Sequence, residues 1–206
     1  MSKTFLVTRP KHDRTTHYLF NWAKAIIELA KSKSIEVLDL QGSRANKKEF
    51  TGVVSKKQPL FIFFNGHGNK NLICGHDDEA LVRADDNENL LKGKIVYALS
   101  CSAGMKLGPR SIKSGALSFV GYKEDFIFFY DDTKVNKPLS DNTARLFLYP
   151  SNYVAHSLIK GHTVGESCKR SREQFMKSIQ KIATEESDSY LLPYLVWDMK
   201  HQVCLG

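Results

Sequence analysis

Two continuous apolar runs constrain the fold of this chain more than any other feature of its sequence. They cover residues 60–64 and 95–99, and polar or small residues follow each run at once. Such runs are typical of strands buried on both faces, as in the centre of a parallel sheet. Segments with apolar side chains at helical spacing alternate with strand-like stretches. The sequence therefore predicts an α/β fold with a mostly parallel sheet and helices on both faces.

The other elements are predicted from the same two periodicities. Strands are predicted where short apolar stretches lie between turn residues, at 4–8, 35–40 and 116–122, with short edge strands and a short helix within 69–93. Helices are predicted from the N-cap Asp13 to about residue 33, weakly over 46–57, and at about 139–159 and 163–183. The apolar stretch 190–205 is expected to return to the sheet.

Length and composition are those of a single globular domain. The chain has 206 residues, of which 42% are apolar and 25% are charged, so it can bury its own core as one domain over 1–206. No apolar stretch approaches the length of a membrane span, and the first residues are expected to form a strand, not a signal peptide. The cysteines show no C-x-x-C spacing, which favours a reducing cytoplasm over a disulfide framework.

The charge pattern permits several kinds of partner but demands none. The formal net charge is +8, yet no block of Lys and Arg is interleaved with aromatic residues, so direct nucleic-acid contact is not expected. The acidic stretch 77–88 lacks the spacing of a calcium loop and is expected to be solvated. His67, Cys74, His76 and Cys101 lack a known zinc spacing. No metal and no cofactor are therefore predicted.

Reactive residues follow both central strands. His67 lies between two glycines shortly after the first run, and Cys101 follows the second run within Ser-Cys-Ser-Ala-Gly. Ligands of parallel sheets bind at the carboxyl ends of strands, so neighbouring strands would bring the two side chains to one crevice. An imidazole there can take the proton of a thiol nucleophile. The amides of Gly68 and Cys101 are the predicted oxyanion donors.

The order of these motifs resembles that of the caspase-like (clan CD) cysteine peptidases, and is most similar to their CHAT and separase-related branch. The resemblance extends to the small-residue strand 115–122 and to 196–206, which look like closing strands. It implies a caspase–hemoglobinase-like three-layer sandwich and a cysteine endopeptidase with a His67–Cys101 dyad. It also implies a protein or peptide substrate, a separate regulatory protein and no cofactor. Family context adds a cytoplasmic role in prokaryotic, including antiviral, defence or in stress responses.

Substrate preference follows from the same resemblance. The chain lacks the acidic residue that metacaspases carry before their cysteine, and the Gln-Ala-Cys-Arg-Gly form of animal caspases. Acidic residues after the strand that follows the cysteine imply a basic residue before the cleaved bond (P1), and the candidates are Glu124, Asp125, Asp131 and Asp132. The opposite preference, for an acidic P1 residue, would use Arg9 or Arg14 after the first strand.

Two other functions remain open at the level of the sequence. The chain is alternatively an inactive caspase-like interaction module, because a lone cysteine at the end of a strand is usually an inert small hydrophobe. A second alternative is a basic protein associated with nucleic acid. The loop 131–141, rich in Asp, Lys and Pro, is a candidate activation or self-cleavage segment.

Overall fold

The structure, a computed structural model, describes residues 4–184 and 186–206. The strands of this part of the chain are β1 (Thr4–Arg9), β2 (Glu36–Gln41), β3 (Phe61–Asn65), β4 (Gly68–Asn69), β5 (Leu72–Cys74), β6 (Ala80–Arg83), β7 (Ile95–Leu99), β8 (Ser118–Tyr122) and β9 (Gln202–Leu205). Its α-helices are α1 (Arg14–Trp22), α2 (Lys24–Ser32), α3 (Lys47–Lys57), α4 (Leu107–Lys113), α5 (Asn142–Ile159), α6 (Val164–Ala183) and α7 (Leu192–His201).

The central sheet contains six strands in the order β2-β1-β3-β7-β8-β9. All neighbours in it are parallel except β8 and β9, which are antiparallel. The two apolar runs form β3 and β7, which lie side by side in the middle of the sheet. A smaller antiparallel sheet, β4-β5-β6, is inserted between them in the chain. The predicted mostly parallel α/β sheet is therefore confirmed.

The two faces of the central sheet bury separate cores because alternate side chains of each strand point to opposite sides. Phe63 and Tyr97 pack on the face covered by α1, α2 and α5, whereas Phe64 and Ala98 face α3, α4 and the small sheet. Tyr97 and Phe63 stack with ring centroids 4.9 Å apart. This arrangement is the predicted three-layer sandwich. Among the described helices, none is long and apolar enough to cross a membrane.

Three details differ from the sequence-based expectations. The helix predicted to run from Asp13 to about residue 33 is divided at Ala23 into α1 and α2. Residues 196–198, expected on a closing strand, lie in α7, and only 202–205 join the sheet as β9. Cys168 and Cys204, expected to be unpaired, form a disulfide with their Cα atoms 6.7 Å apart. The pairing arises because α6 packs across β9, which brings distant parts of the chain together.

A buried carboxylate ties the segment before α5 to α1. Asp141 is 1% exposed and caps α5 by accepting a hydrogen bond from the N–H of Ala144, at 2.9 Å. Its other oxygen accepts hydrogen bonds from the Tyr18 hydroxyl at 2.7 Å and from the N–H of Asp131 at 2.9 Å. Asp141 thus fixes the position of the polypeptide that leads away from β8.

We expect Asp141→Ala to lower the free energy of unfolding by about 3 kcal/mol, because it removes a helix cap, the short hydrogen bond of the Tyr18 hydroxyl and the partner of the Asp131 N–H. Urea unfolding monitored by circular dichroism measures the change. Asp132→Ala is the control, because that side chain is 79% exposed and, among the described residues, is bonded only to Arg14. Equal losses in the two variants would contradict the structural role assigned to Asp141.

Candidate active site

The loops after β3 and β7 leave the same edge of the sheet. Asn65 is the register partner of Leu99, so His67 and Cys101 each lie two residues beyond the last pair of strand residues. The loops are bonded to each other: the N–H of Gly66 donates to the Leu99 carbonyl at 3.3 Å, and the Ser100 hydroxyl donates to the His67 carbonyl at 3.0 Å. Sheet topology therefore holds the imidazole-bearing and thiol-bearing loops together.

The close approach of these loops explains the second glycine beside His67. A Cβ atom at Gly68 would lie 2.2 Å from the Ser100 hydroxyl oxygen and 2.6 Å from the Leu72 carbonyl oxygen. The second neighbour is backbone of β5 and has little freedom to move. Any side chain at Gly68 would therefore push the His67 loop away from the Cys101 loop.

His67 is hydrogen-bonded to a carboxylate. Its Nε2 lies 2.5 Å from Oδ2 of Asp13, while Oδ1 of Asp13 accepts the N–H of Thr16 at 2.7 Å and so caps α1. Burial raises the pKa of Asp13, but hydrogen bonds from Thr16 and His67 outweigh this effect and lower the pKa to about 2. Asp13 is thus an anion at neutral pH. It keeps the proton of a neutral His67 on Nε2 and leaves the lone pair on Nδ1.

The sequence predicted Asp13 only as a helix cap, and a His67–Cys101 dyad without a residue that orients His67. The signal was nevertheless present. Asp13 follows β1, and β1 pairs directly with β3 in parallel. Because the carboxyl ends of parallel strands share one edge, polar residues after β1 belong to the same region as those after β3.

Cys101 is partly exposed and bonded to another segment. Its Sγ donates to the carbonyl of Phe126, with the atoms 3.8 Å apart. Burial and then the negative charge of Asp125 raise the pKa of the thiol, and the Phe126 contact offsets only part of this. In the described part of the chain, His67 is bonded to Asp13 and Cys101 to Phe126, without a hydrogen bond between the two side chains.

Helix α7 positions the segment that passes over the thiol. The indole N–H of Trp197 donates to the carbonyl of Asp125, and the N–H of Ile127 donates to Oδ1 of Asp198, both at 3.0 Å. Asp198 is buried, and this burial raises its pKa well above the ordinary value. Asp198 was not among the residues predicted for the site, because 196–198 were expected on a strand.

The acidic residues proposed for substrate binding occupy two places. Glu124 and Asp125 lie beside the cysteine: the N–H of Ser102 donates to the Glu124 carbonyl at 3.0 Å, and the Ser102 hydroxyl donates to Asp125 at 2.6 Å. Asp131 and Asp132 lie further along, near α1. Asp131 accepts hydrogen bonds from Thr133, at 2.8 Å from its N–H, and Asp132 pairs with Arg14 at 2.9 Å.

The two arginines considered for an acidic P1 residue have different surroundings. Arg9 is 4% exposed, forms a two-point ion pair with Asp39 and donates to the carbonyl of Phe20. Its guanidinium is therefore fully engaged within the fold. Arg14 is exposed and paired with Asp132. Of the two, only Arg14 is accessible from solvent.

We expect Asp125→Asn to increase the rate at which iodoacetamide modifies Cys101 at pH 7, by about threefold. Removing a neighbouring negative charge favours the thiolate, so the raised pKa falls towards its ordinary value. In the unaltered protein the rate should keep rising with pH beyond the ordinary pKa of a thiol. Mass spectrometry of the Cys101 peptide measures the rate. Asp132→Asn, a change far from the thiol, should leave it unaltered; a lower rate in Asp125→Asn would contradict the electrostatic effect.

An apolar cavity of about 200 Å³ lies at the opposite edge of the sheet, where Thr4, Phe61 and Ile95 begin their strands. It is remote from the polar residues at the carboxyl ends of the strands. Because parallel sheets place their chemistry at the carboxyl ends, the His67 and Cys101 loops, and not this cavity, are the candidate site.

Comparisons with known proteins concern the fold. No protein-family profile matches the chain, and no curated protein matches its sequence. Among solved structures, a chain of the Saccharomyces cerevisiae separase–securin complex matches 99% of this chain with a TM-score of 0.54 and 10% sequence identity. The present chain spans 12% of the length of that chain. Together with the sheet order, this likeness supports a caspase-like fold. The assignment to the CHAT and separase-related branch stays a prediction.

Proposed function

We propose that this chain is a caspase-like cysteine endopeptidase in which Cys101 is the nucleophile and His67 is the general base. The proposal rests on one observation. Neighbouring parallel strands carry an imidazole and a thiol at the same edge of the sheet, and the imidazole is held by the carboxylate of Asp13. A nucleophile, a base and a group that orients the base are the parts required for covalent acyl transfer.

In the proposed reaction, Nδ1 of His67 takes the thiol proton as Sγ of Cys101 bonds to the carbonyl carbon of the substrate. The N–H groups of Gly68 and Cys101 stabilise the resulting oxyanion. The C–N bond then breaks, the amine leaves with the proton from His67, and a thioester remains on Cys101. Water attacks the thioester while His67 accepts its proton, which releases the carboxylic acid and restores the thiol.

The reaction requires the thiol to exchange one neighbour for another. In the structure Sγ contacts the Phe126 carbonyl, so rotation of the short Cys101 side chain towards the His67 loop is part of the proposed mechanism. Catalytic hydrogen bonds are often long or absent before substrate binds, and tighten in the complex. Substrate that displaces the Phe126 carbonyl from the thiol would favour this exchange.

A basic P1 residue is part of the proposal. Glu124 and Asp125 lie next to the Cys101 loop. The carboxyl group of Asp198 behind the same segment adds little charge, because burial raises its pKa and favours the neutral acid. Arg9, one alternative for binding an acidic P1 residue, is already paired with Asp39. The local charge therefore favours a cationic substrate side chain. A regulatory protein partner and a role as a defence or stress effector are carried over from the family resemblance.

The second candidate function is a non-catalytic interaction module of the same fold. One observation favours it: among the described residues, the imidazole and the thiol are bonded to Asp13 and Phe126, and not to each other. An interaction module would keep the fold while having no need of a reactive thiol. The two functions therefore differ in the reactivity of Cys101 towards substrate-like electrophiles.

Peptidyl chloromethylketones with Arg or Asp at P1 test both the activity and the specificity. We expect the Arg reagent to label Cys101 at least about tenfold faster than the Asp reagent. The carboxylates of Glu124 and Asp125 near the thiol would attract an Arg side chain and repel an Asp side chain. Cys74, the other free cysteine of the described chain, is buried and serves as the internal control. Digestion of a peptide library should show cleavage after basic residues.

The outcomes separate the alternatives. Faster labelling by the Asp reagent would reverse the specificity while retaining the peptidase. The peptidase proposal would be overturned if Cys101 reacted no faster with either peptidyl reagent than with iodoacetamide and the peptide library stayed intact. This result would favour the interaction module.

A further inference from the structure

We infer that His12, His67 and Asp78 form a binding site for a divalent transition-metal ion of the Zn²⁺ class, and that the ion inhibits the enzyme by occupying His67. One ligand atom from each of these residues lies within 4.8 Å of the others. They come from three separate segments: the loop after β1, the loop after β3 and the turn between β5 and β6. The ion site stands on its own geometry, whereas its inhibitory effect rests on the proposed function.

His12 is the residue that points to a ligand. Its side chain is only 13% exposed, and both ring nitrogens are shielded from solvent without a hydrogen-bond partner. A neutral imidazole carries one N–H and one lone pair, so this burial leaves two polar groups unsatisfied, which is costly. Oδ1 of Asp78 lies 3.3 Å from Nε2 of His12, in an orientation that makes no hydrogen bond. A cation bound between them would engage the lone pair of His12 and the carboxylate of Asp78.

The distances suit tetrahedral coordination after small side-chain movements. With metal–ligand bonds near 2.0–2.1 Å, the ligand atoms of a tetrahedral zinc site lie about 3.3 Å apart. His12 and Asp78 already have this separation. The side chain of Asp78 is 63% exposed, which gives it freedom to move and gives an ion a route into the site. Two imidazoles and a carboxylate, completed by water, form a ligand set that Zn²⁺ accepts.

Asp13 orients His67 in the way that is usual for an imidazole that binds a metal ion. Imidazoles that bind metals usually donate their other N–H to a carboxylate, which fixes the ring and raises its basicity. Nε2 of His67 already has this contact with Asp13, so Nδ1 keeps its lone pair. The lone pair available to a metal ion is therefore the one that would accept the thiol proton of Cys101. An ion bound through this lone pair would compete with the proposed catalysis for the same atom.

His76 is nearby but is not assigned as a ligand. Its ring lies 5.2 Å from that of His12, between centroids, and its Nε2 lies 3.7 Å from Asp77. However, Nδ1 of His76 accepts a hydrogen bond from the N–H of Lys11 at 3.2 Å. The proton of the neutral ring must then be on Nε2, which leaves no lone pair for a metal. This site differs from the expectation from sequence, which was that no metal is bound, and from the zinc set rejected there, which included Cys74 and Cys101.

Titration of metal-free protein with Zn²⁺ in a calorimeter tests the site directly, without any activity measurement. We expect one ion per chain, and His12→Gln should weaken binding at least about tenfold, because even outer-shell changes have effects of that size. Asp78→Asn is a second test at an exposed side chain, and Asn tolerates the left-handed backbone conformation of this residue. His162→Gln, outside the cluster, is the control. Cys101→Ala should bind Zn²⁺ as tightly as the unaltered chain, because the thiol is not a ligand.

Peptide hydrolysis tests the inhibitory effect. For each variant, the rate with Zn²⁺ is divided by the rate without Zn²⁺, so that differences in basal activity cancel. Inhibition that EDTA reverses and that weakens in both His12→Gln and Asp78→Asn would support the full inference. If Zn²⁺ binding weakened in both variants but the chain had no peptidase activity, the ion site would be supported and the proposed function overturned. Unchanged binding in His12→Gln and Asp78→Asn, or binding that is lost in Cys101→Ala, would overturn the ion site itself.

Discussion

Cys101→Ala is expected to reduce peptide hydrolysis by at least about 10³-fold, because loss of the nucleophile removes the covalent route altogether. The fold should tolerate the change. Within the part of the chain that the structure describes, the thiol is bonded only through the weak 3.8 Å contact with the Phe126 carbonyl, and its Cβ is retained in the variant. We therefore expect the thermal midpoint to stay within about 2 °C of that of the unaltered chain. Initial rates on a peptide carrying the preferred P1 residue measure the effect.

Cys74→Ala provides the matched control for this experiment. Cys74 is the other free cysteine of the described residues and is buried on β5, where burial raises its pKa to about 11. Its removal should leave the rate within about twofold of the original, since the backbone N–H of residue 74, which donates to the His67 carbonyl at 2.9 Å, is retained. Comparable rate losses in both variants would mean that general destabilisation, and not loss of a nucleophile, explains the result for Cys101.

Local sequence was sufficient to predict the architecture that carries the site. The apolar runs that form β3 and β7 have no polar face, so only a doubly covered sheet can bury them. Short glycine- and serine-containing loops after both strands then place His67 and Cys101 at one edge. This inference needs only the periodicity of each segment and the general rule for parallel sheets. It does not need any knowledge of which side chains touch.

Side-chain partners depend on tertiary packing, and the sequence predicted them less well. Asp13 is a good helix cap in its own right, and nothing local shows that its second oxygen meets His67. Asp198 lies in an apolar, aromatic stretch whose pattern is compatible with a strand, whereas packing against α6 favours helix α7. The Cys168–Cys204 disulfide joins residues 36 positions apart, so its formation follows from how α6 meets β9.

Asp13→Asn should reduce kcat by about 10²- to 10⁴-fold while KM changes little, because Asp13 positions the base and does not touch the substrate. An amide N–H in place of Oδ2 would favour a lone pair on Nε2 of His67, so the proton would move to Nδ1 and block its role as base. The helix cap should survive, since Asn accepts the N–H of Thr16 as well as Asp does. The thermal midpoint should accordingly stay near that of the unaltered chain.

The pH profile separates this positioning role from a structural one. A thiolate needs no general base to attack, and the pKa of Cys101 is raised by burial and by Asp125. The defect of Asp13→Asn should therefore shrink at alkaline pH, where the thiol ionises without help from His67. Asp13→Ala serves for comparison, because it lowers kcat and also removes the cap, at a cost of about 1 kcal/mol. A defect in Asp13→Asn that is constant with pH, or that appears in KM alone, would contradict the role of Asp13 in orienting His67.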